Sequence, residues 1–195
     1  MAINMKKYFL LTVVTLAASL WANAQNLDKM QWFNEPESYT IRNGILEMDV
    51  PAQTDYWRIA HYGFTVDDGT FLYTTVGGEF EAKIKVSGDY KVRFDQAGMM
   101  IRKDPSDWSV IELKEPIPFL WLKAVRRLDA IELYYSFDDK EYTMMRTLWM
   151  QDNCPLMVGP VAACPDGQGF KAVFSHFKVK HLPDQRRVEW LMNNQ

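Results

Sequence analysis

From Trp32 onward, hydrophobic positions recur at every second residue in short runs, and turn-forming residues separate the runs. A period of two places alternate side chains on opposite faces of a strand, so this pattern predicts half-buried β-strands. The clearest run is 79–86, where Phe80, Ala82, Ile84 and Val86 alternate with Glu79, Glu81, Lys83 and Lys85. One face is core and the other is a solvated surface of interleaved charge. Positions 45–50 behave alike, with Leu46, Met48 and Val50 set against Glu47 and Asp49. Asn43-Gly44 supplies the two positive-φ positions of a tight turn, so 39–41 and 45–50 form a hairpin. Further strands are expected at 71–73, 96–102, 108–113, 119–126, 131–137, 142–150, 156–162 and 170–180. Asp67-Asp68-Gly69, Gly77-Gly78, Ser87-Gly88-Asp89 and Asp138-Asp139 mark turns, and Pro105, Pro116 and Pro118 fall in connections, where a missing N–H costs nothing.

Helix signals are nearly absent. Ten or so short antiparallel strands cannot leave long edges open, so the expected fold is all-β, with two sheets packed face to face as a jelly-roll sandwich. The tail at 183–195 differs in character, with Arg186, Arg187 and Glu189 beside Val188, Trp190 and Leu191; it reads as a short docked helix or a frayed end. The other terminus is different again. Lys6-Lys7 precedes an apolar run that ends near Leu20, followed by Ala22-Asn23-Ala24, the pattern of a secretory signal peptide cleaved after Ala24. The apolar run is shorter than the roughly 20 residues a spanning helix needs, so a retained membrane anchor is disfavoured. The expected organisation is signal peptide 1–24, sandwich domain 25–182 and tail 183–195, in a protein exported to the periplasm or beyond.

Charge and composition narrow the function. The signal holds two of the 22 Lys+Arg and none of the 25 Asp+Glu, so the mature chain carries a net charge of −5. That balance argues against a nucleic-acid partner. Cys154 and Cys164 would meet an oxidising compartment, but a strand over 156–162 would span about 20 Å, whereas bridged Cα atoms lie within about 7 Å. Only a turn at Gly159-Pro160 would permit a bridge. No cysteine or histidine spacing suggests a metal site, and no cofactor motif is present.

The densest chemistry lies in TDYWRIAHYGF at 54–64. Asp55, Arg58 and His61 offer charge and proton chemistry; Tyr56, Trp57 and Tyr62 offer flat faces on which sugar rings stack. Trp108 and Gln96 are further candidates for such a face. Arg102 and Arg126 sit in strands, where a buried guanidinium is costly unless a carboxylate or ligand pairs with it, and Asp55 is the expected partner. A structural Arg–Asp pair and core aromatics are the bland alternatives. His61 has no nucleophile motif beside it.

The segments FNEPESYTIRNGILEMDVPAQTDYWRIAHYGF, DQAGMMIR, WLKAVRR, YYSFDDKEYT, MVGP and GFKAVFSHF together resemble a bacterial and fungal family of unknown function labelled "regulation of enolase". That resemblance implies a concanavalin A-like lectin/glucanase sandwich whose concave sheet face holds sugars in related folds, with no established activity. It also implies a missing hairpin, because Asp104 runs straight into Pro105 where relatives carry two more strands. A narrower concave sheet is then expected, in which the neighbouring segments either pair with each other's former partners or leave an exposed edge, with lower stability than relatives carrying the hairpin or homodimerisation through that edge.

Glucanases of that fold place carboxylates in an E-x-D-x-x-E pattern. Glu47-Met48-Asp49 begins such a pattern, but Ala52 stands where the second glutamate belongs, so no catalytic residues are assigned. The expected function is a non-catalytic carbohydrate-binding module for an oligo- or polysaccharide. The alternatives are a glycoside hydrolase, which a close Asp/Glu pair on the concave face would favour, and a structural or partner-binding sandwich.

Overall fold

The computed structural model describes residues 26–61, 63–113, 117–151 and 154–184, together with Arg186, Glu189, Met192 and Asn193. The expected signal peptide and Tyr62 lie outside the described residues. Among the described residues a short 3-10 turn, Leu27–Lys29, leads into fourteen strands. They are β1 (Gln31–Phe33), β2 (Tyr39–Arg42), β3 (Ile45–Val50), β4 (Tyr56–Arg58), β5 (Thr65–Asp67), β6 (Thr70–Val76) and β7 (Phe80–Gly88), then β8 (Gln96–Asp104), β9 (Asp107–Leu113), β10 (Leu120–Arg127), β11 (Ala130–Ser136), β12 (Thr143–Trp149), β13 (Leu156–Ala163) and β14 (Phe170–His181). One sheet runs β1-β6-β13-β8-β9, a second runs β12-β11-β10-β7-β14-β3-β2, and all described pairings are antiparallel. The fold is the two-sheet antiparallel sandwich that the alternation predicts.

The core lies where the two sheets face each other, and the period-two pattern decides its members. Leu46, Met48 and Val50 of β3 are buried while Ile45, Glu47 and Asp49 are exposed. Phe80, Ala82, Ile84 and Val86 are fully buried, packed with Met99 and Ile101 of β8, Leu122 and Ala124 of β10, and Phe170, Phe174 and Phe177 of β14. Each large side chain buried in this way contributes roughly 1.5–3 kcal/mol. Asn43 and Gly44 both have positive φ, as the β2–β3 turn requires.

β13 runs straight from Leu156 to Ala163, keeping Cys154 and Cys164 at opposite ends, and both thiols are unbridged. Gly159-Pro160 makes no turn. Glu79 is a correction to the reading of its strand as solvated charge: it is buried, with Oε2 accepting from Arg127 Nη1 at 2.8 Å. At the place of the missing hairpin, β8 and β9 pair with each other across the short turn from Asp104 to Asp107, and β9 forms an edge of its sheet. Of the described tail residues, Arg186, Glu189, Met192 and Asn193 are helical, and all are exposed. Among the described residues no helix is long and apolar enough to cross a membrane.

Candidate functional site

β4 and β5 form a small hairpin that belongs to neither sheet. Strands of three residues are too short to show a period, and the mixture of charge and aromatics in this stretch hid them. The hairpin lies on the outer face of the five-stranded sheet. Tyr56 is buried there against Phe71, Met100 and Val161, with Phe33, Trp108 and Val110 around them. Its hydroxyl donates to Gly69 O at 2.6 Å, and its ring meets Trp108 edge-on with centroids 6.0 Å apart. Burial pushes the phenol's pKa up, so this hydroxyl stays a donor.

Arg102 anchors the other side. It is 1% exposed, and Nη1 and Nη2 donate to Asp67 Oδ1 and Oδ2 at 2.6 and 2.7 Å while the guanidinium stacks over Phe33 at 4.5 Å. Asp67, not the expected Asp55, is therefore the partner, because β5 lies over the end of β8. Burial alone would raise the Asp67 carboxyl, but the hydrogen bonds and charge of Arg102, joined by the charge of Arg58, outweigh it and hold the group below its usual range. Arg58 Nη2 lies 3.5 Å from Asp67 Oδ2, so two guanidinium groups share one carboxylate.

Asp55 closes the base of the hairpin. Its N–H donates to Asp68 Oδ1 at 2.7 Å, and its own Oδ1 accepts from Tyr56 N–H at 2.8 Å and from Gln96 Nε2 at 3.0 Å. At the tip, Trp57 Nε1 donates to Ala60 O at 2.8 Å, holding that ring 6.3 Å from Phe64. Ile59 and His61 both have positive φ, a strained conformation for a β-branched residue such as Ile59.

Between hairpin and sheet opens a cleft of about 890 Å3. Trp57, Arg58 and Phe64 line it from the hairpin, while Gln96, Trp108 and Glu112 line it from β8 and β9. Of the candidates read from sequence, Asp55, Trp57, Arg58, Gln96 and Trp108 are brought together here. Arg102 lies beneath, pinning the wall. His61 is exposed at the hairpin tip and does not line the cleft.

Arg126 is a correction. It continues the inward face of β10 after Leu122 and Ala124, is 2% exposed, and donates to Cys154 O at 2.7 Å and Gln151 O at 3.0 Å. Its partners are main-chain carbonyls of the loop before β13, so it holds that loop and takes no part in the cleft. The sequence reading missed Asp68, Phe64, Glu112, Arg146 and Asp166 as lining residues. Alternation along β9 would have put Glu112 on the same face as Trp108, and Phe64 closes the aromatic stretch at 54–64; nothing in sequence marks the others. Among the described residues no group of three or more His, Cys, Asp or Glu is placed to hold a metal ion.

Fold and cleft together define a two-sheet antiparallel sandwich with an aromatic, polar groove on one outer face. The chain belongs to the family described as "Protein of unknown function (DUF1349)", which matches residues 32–106 and 102–182. The two matched segments meet at the β8–β9 turn, where the sequence reading places the missing hairpin. "Regulation of enolase protein 1" of Saccharomyces cerevisiae is 28% identical over 178 residues, covering 78% of this chain and 90% of that protein. A crystal structure of a functionally unknown protein from Saccharomyces cerevisiae superposes with a TM-score of 0.74 at 27% identity, covering 81% of this chain and 99% of that one. The fold is also shared with the GH43 protein BlXynB of Bacillus licheniformis (TM-score 0.58, 15% identity, 78% of this chain but 37% of that one) and with lectin I-B4 of Griffonia simplicifolia (TM-score 0.50, 8% identity, 82% and 95%).

Proposed function

We propose that the cleft binds a saccharide chain without altering it chemically. The observation that carries this reading is the make-up of the cleft: Trp57, Phe64 and Trp108 supply ring faces, and Gln96, Asp55 and Glu112 supply planar polar groups, within one open space of about 890 Å3. Sugar rings present C–H faces to aromatic side chains and hydroxyls to amides and carboxylates. Fold neighbours named as a lectin and a GH43 protein support the same class of ligand.

One observation favours a glycoside hydrolase instead, because Asp55 and Asp68 adjoin in the cleft. Hydrolysis needs two carboxyls flanking the scissile bond, one of them serving as acid. Here the two form the base of the hairpin, accepting from Asp55 N–H, Tyr56 N–H and the Gln96 amide, which gives them an architectural role.

A glycan array probed with wild type and W108A tests the proposal. Wild type is expected to retain a defined set of glycans intact, and W108A to lose them. Release of reducing ends that D68N abolishes would install the hydrolase in its place, and an array with neither retained glycans nor released reducing ends would refute both. We also infer export with cleavage after Ala24; an intact mass from the native host that includes residues 1–24 would overturn it. A second copy would add at the β9 edge, so sedimentation velocity is expected to show a dimer there and a monomer when Pro is placed at Val110.

A further inference from the structure

The outer face of the seven-stranded sheet carries a second concentration of chemistry. Lys83 on β7 stands directly opposite Lys123 on β10 and Lys178 on β14, so three lysines occupy one row across three adjacent strands. Lys85, two residues further along β7, widens the patch, as does Lys180, two residues further along β14 and directly opposite Glu81. Ala82, Ile84, Leu122 and Ala124 fill the core between them in sequence, which turns the lysines of β7 and β10 outward. Like charges set directly opposite each other destabilise a sheet, and acids outnumber bases along the chain, 25 to 22. The row is therefore a local arrangement that composition does not explain and folding does not favour.

The protein compensates it only in part. Lys83 Nζ donates to Asp139 Oδ1 at 2.6 Å. Lys123 Nζ lies 4.0 Å from the Tyr142 ring centre and 4.6 Å from that of Tyr134, and Lys85 Nζ lies 3.8 Å from Phe119. Trp121 lies beneath Lys83 and Lys85, at 5.4 and 5.9 Å. Asp139 and Glu81 offset part of this charge, and the rings hold the remaining ammonium groups over an aromatic floor.

We propose that this row binds a linear acidic polysaccharide, carboxylated or sulfated, at a site separate from the cleft. Neighbouring strands set the lysine backbones about 4.8 Å apart. That is close to the advance per sugar in an extended pyranoside chain, so a polymer laid across the strands passes Lys123 and Lys178 on either side of the Lys83–Asp139 pair. Lysine suits this task, because a compact ammonium accepts a carboxylate or sulfate from many directions. A single-stranded nucleic acid fits worse: its bases need open ring faces, and here those faces lie under ammonium groups.

The test measures binding of polygalacturonate, heparin, a neutral xylan and oligo(dT) to the full-length protein over a range of salt. Wild type is expected to bind polygalacturonate, heparin or both, and the one retained distinguishes carboxylate from sulfate. Affinity should fall steeply with salt, as release of counterions requires. K123Q/K178Q is expected to bind at least tenfold more weakly with no lower melting temperature, since it relieves a like-charge row. K123R/K178R, which keeps the charge, should retain binding and separates charge from fold. Failure to bind either acidic polymer, wild-type affinity in K123Q/K178Q, or equal affinity for oligo(dT) or neutral xylan would each overturn the proposal. So would an equal loss in W108A, which would place the polymer in the cleft.

Discussion

Replacing Asp67 by asparagine takes the charge from one side of the pair that holds the β4–β5 hairpin to the sheet. Arg102 would keep its guanidinium, 1% exposed, with an amide in place of the carboxylate that now accepts two hydrogen bonds of 2.6 and 2.7 Å. Breaking a buried ion pair from one side costs about 3–5 kcal/mol, because an uncompensated charge stays behind. The Asp67 side chain is 24% exposed, so water offsets part of the loss and the low end, about 3 kcal/mol, applies. In a chain of this size each kcal/mol moves the melting temperature by roughly 2–4 °C, giving a fall of roughly 6–12 °C. Arg102→Met removes the buried charge itself and leaves Asp67 beside Arg58, so its cost should be smaller, about 1–2 kcal/mol. The pH dependence has a fixed sign. Asp67 is held below its usual range in the folded state, so its contribution is complete above the unfolded value of about 3.9 and is lost as pH falls through the lower folded value. The gap between wild type and D67N should thus be full at pH 7 and narrow below about pH 4. Calorimetry that finds D67N within about 2 °C of wild type at pH 7 would refute this account of the pair.

Gly98→Ala should destabilise the protein by several kcal/mol, since a Cβ there runs into the backbone carbonyl of Ile111 on β9; urea unfolding measures it. Arg126→Met should cost about 1–3 kcal/mol by stranding the carbonyls of Gln151 and Cys154, while glycan retention by the folded variant stays at the wild-type level. Cys164 is fully buried, and burial together with the Asp95 hydrogen bond raises its thiol pKa. Alkylation of the native protein should therefore spare Cys164, and unfolding without reductant should expose two reactive thiols.

The parts of the structure legible in sequence are those governed by strict alternation. Leu46, Met48 and Val50, or Phe80 through Val86, announce a buried face because every second residue repeats the same choice. Strand ends on β2, β3, β11 and β12 fall within a residue or so of the expected positions. What escaped was local brevity and tertiary docking. β1, β4 and β5 have three residues each, which is less than two periods. Asp67 looked like the first residue of a turn, and only the seating of the hairpin brings it to Arg102, 35 positions away. Arg126 was visible as an inward-facing charge, but its partners are carbonyls, which no side-chain pattern advertises. The lysine row depends on register across three strands, and register is set by pairing rather than by any one strand's sequence.

Because the β4–β5 hairpin shares no backbone ladder with either sheet, it is fastened largely by side chains: Arg102 to Asp67, Gln96 to Asp55, Tyr56 to the Gly69 carbonyl, and Asn34 to the carbonyls of Asp67 and Gly69, with a main-chain bond from Thr54 N–H to the Cys164 carbonyl at its base. One wall of the groove is therefore an interchangeable part. Residues added or exchanged at its tip, around Ile59 to Gly63, would reshape what the groove admits without displacing a single rung of the sandwich, so descendants of one scaffold could diversify in what they hold while their cores stayed alike.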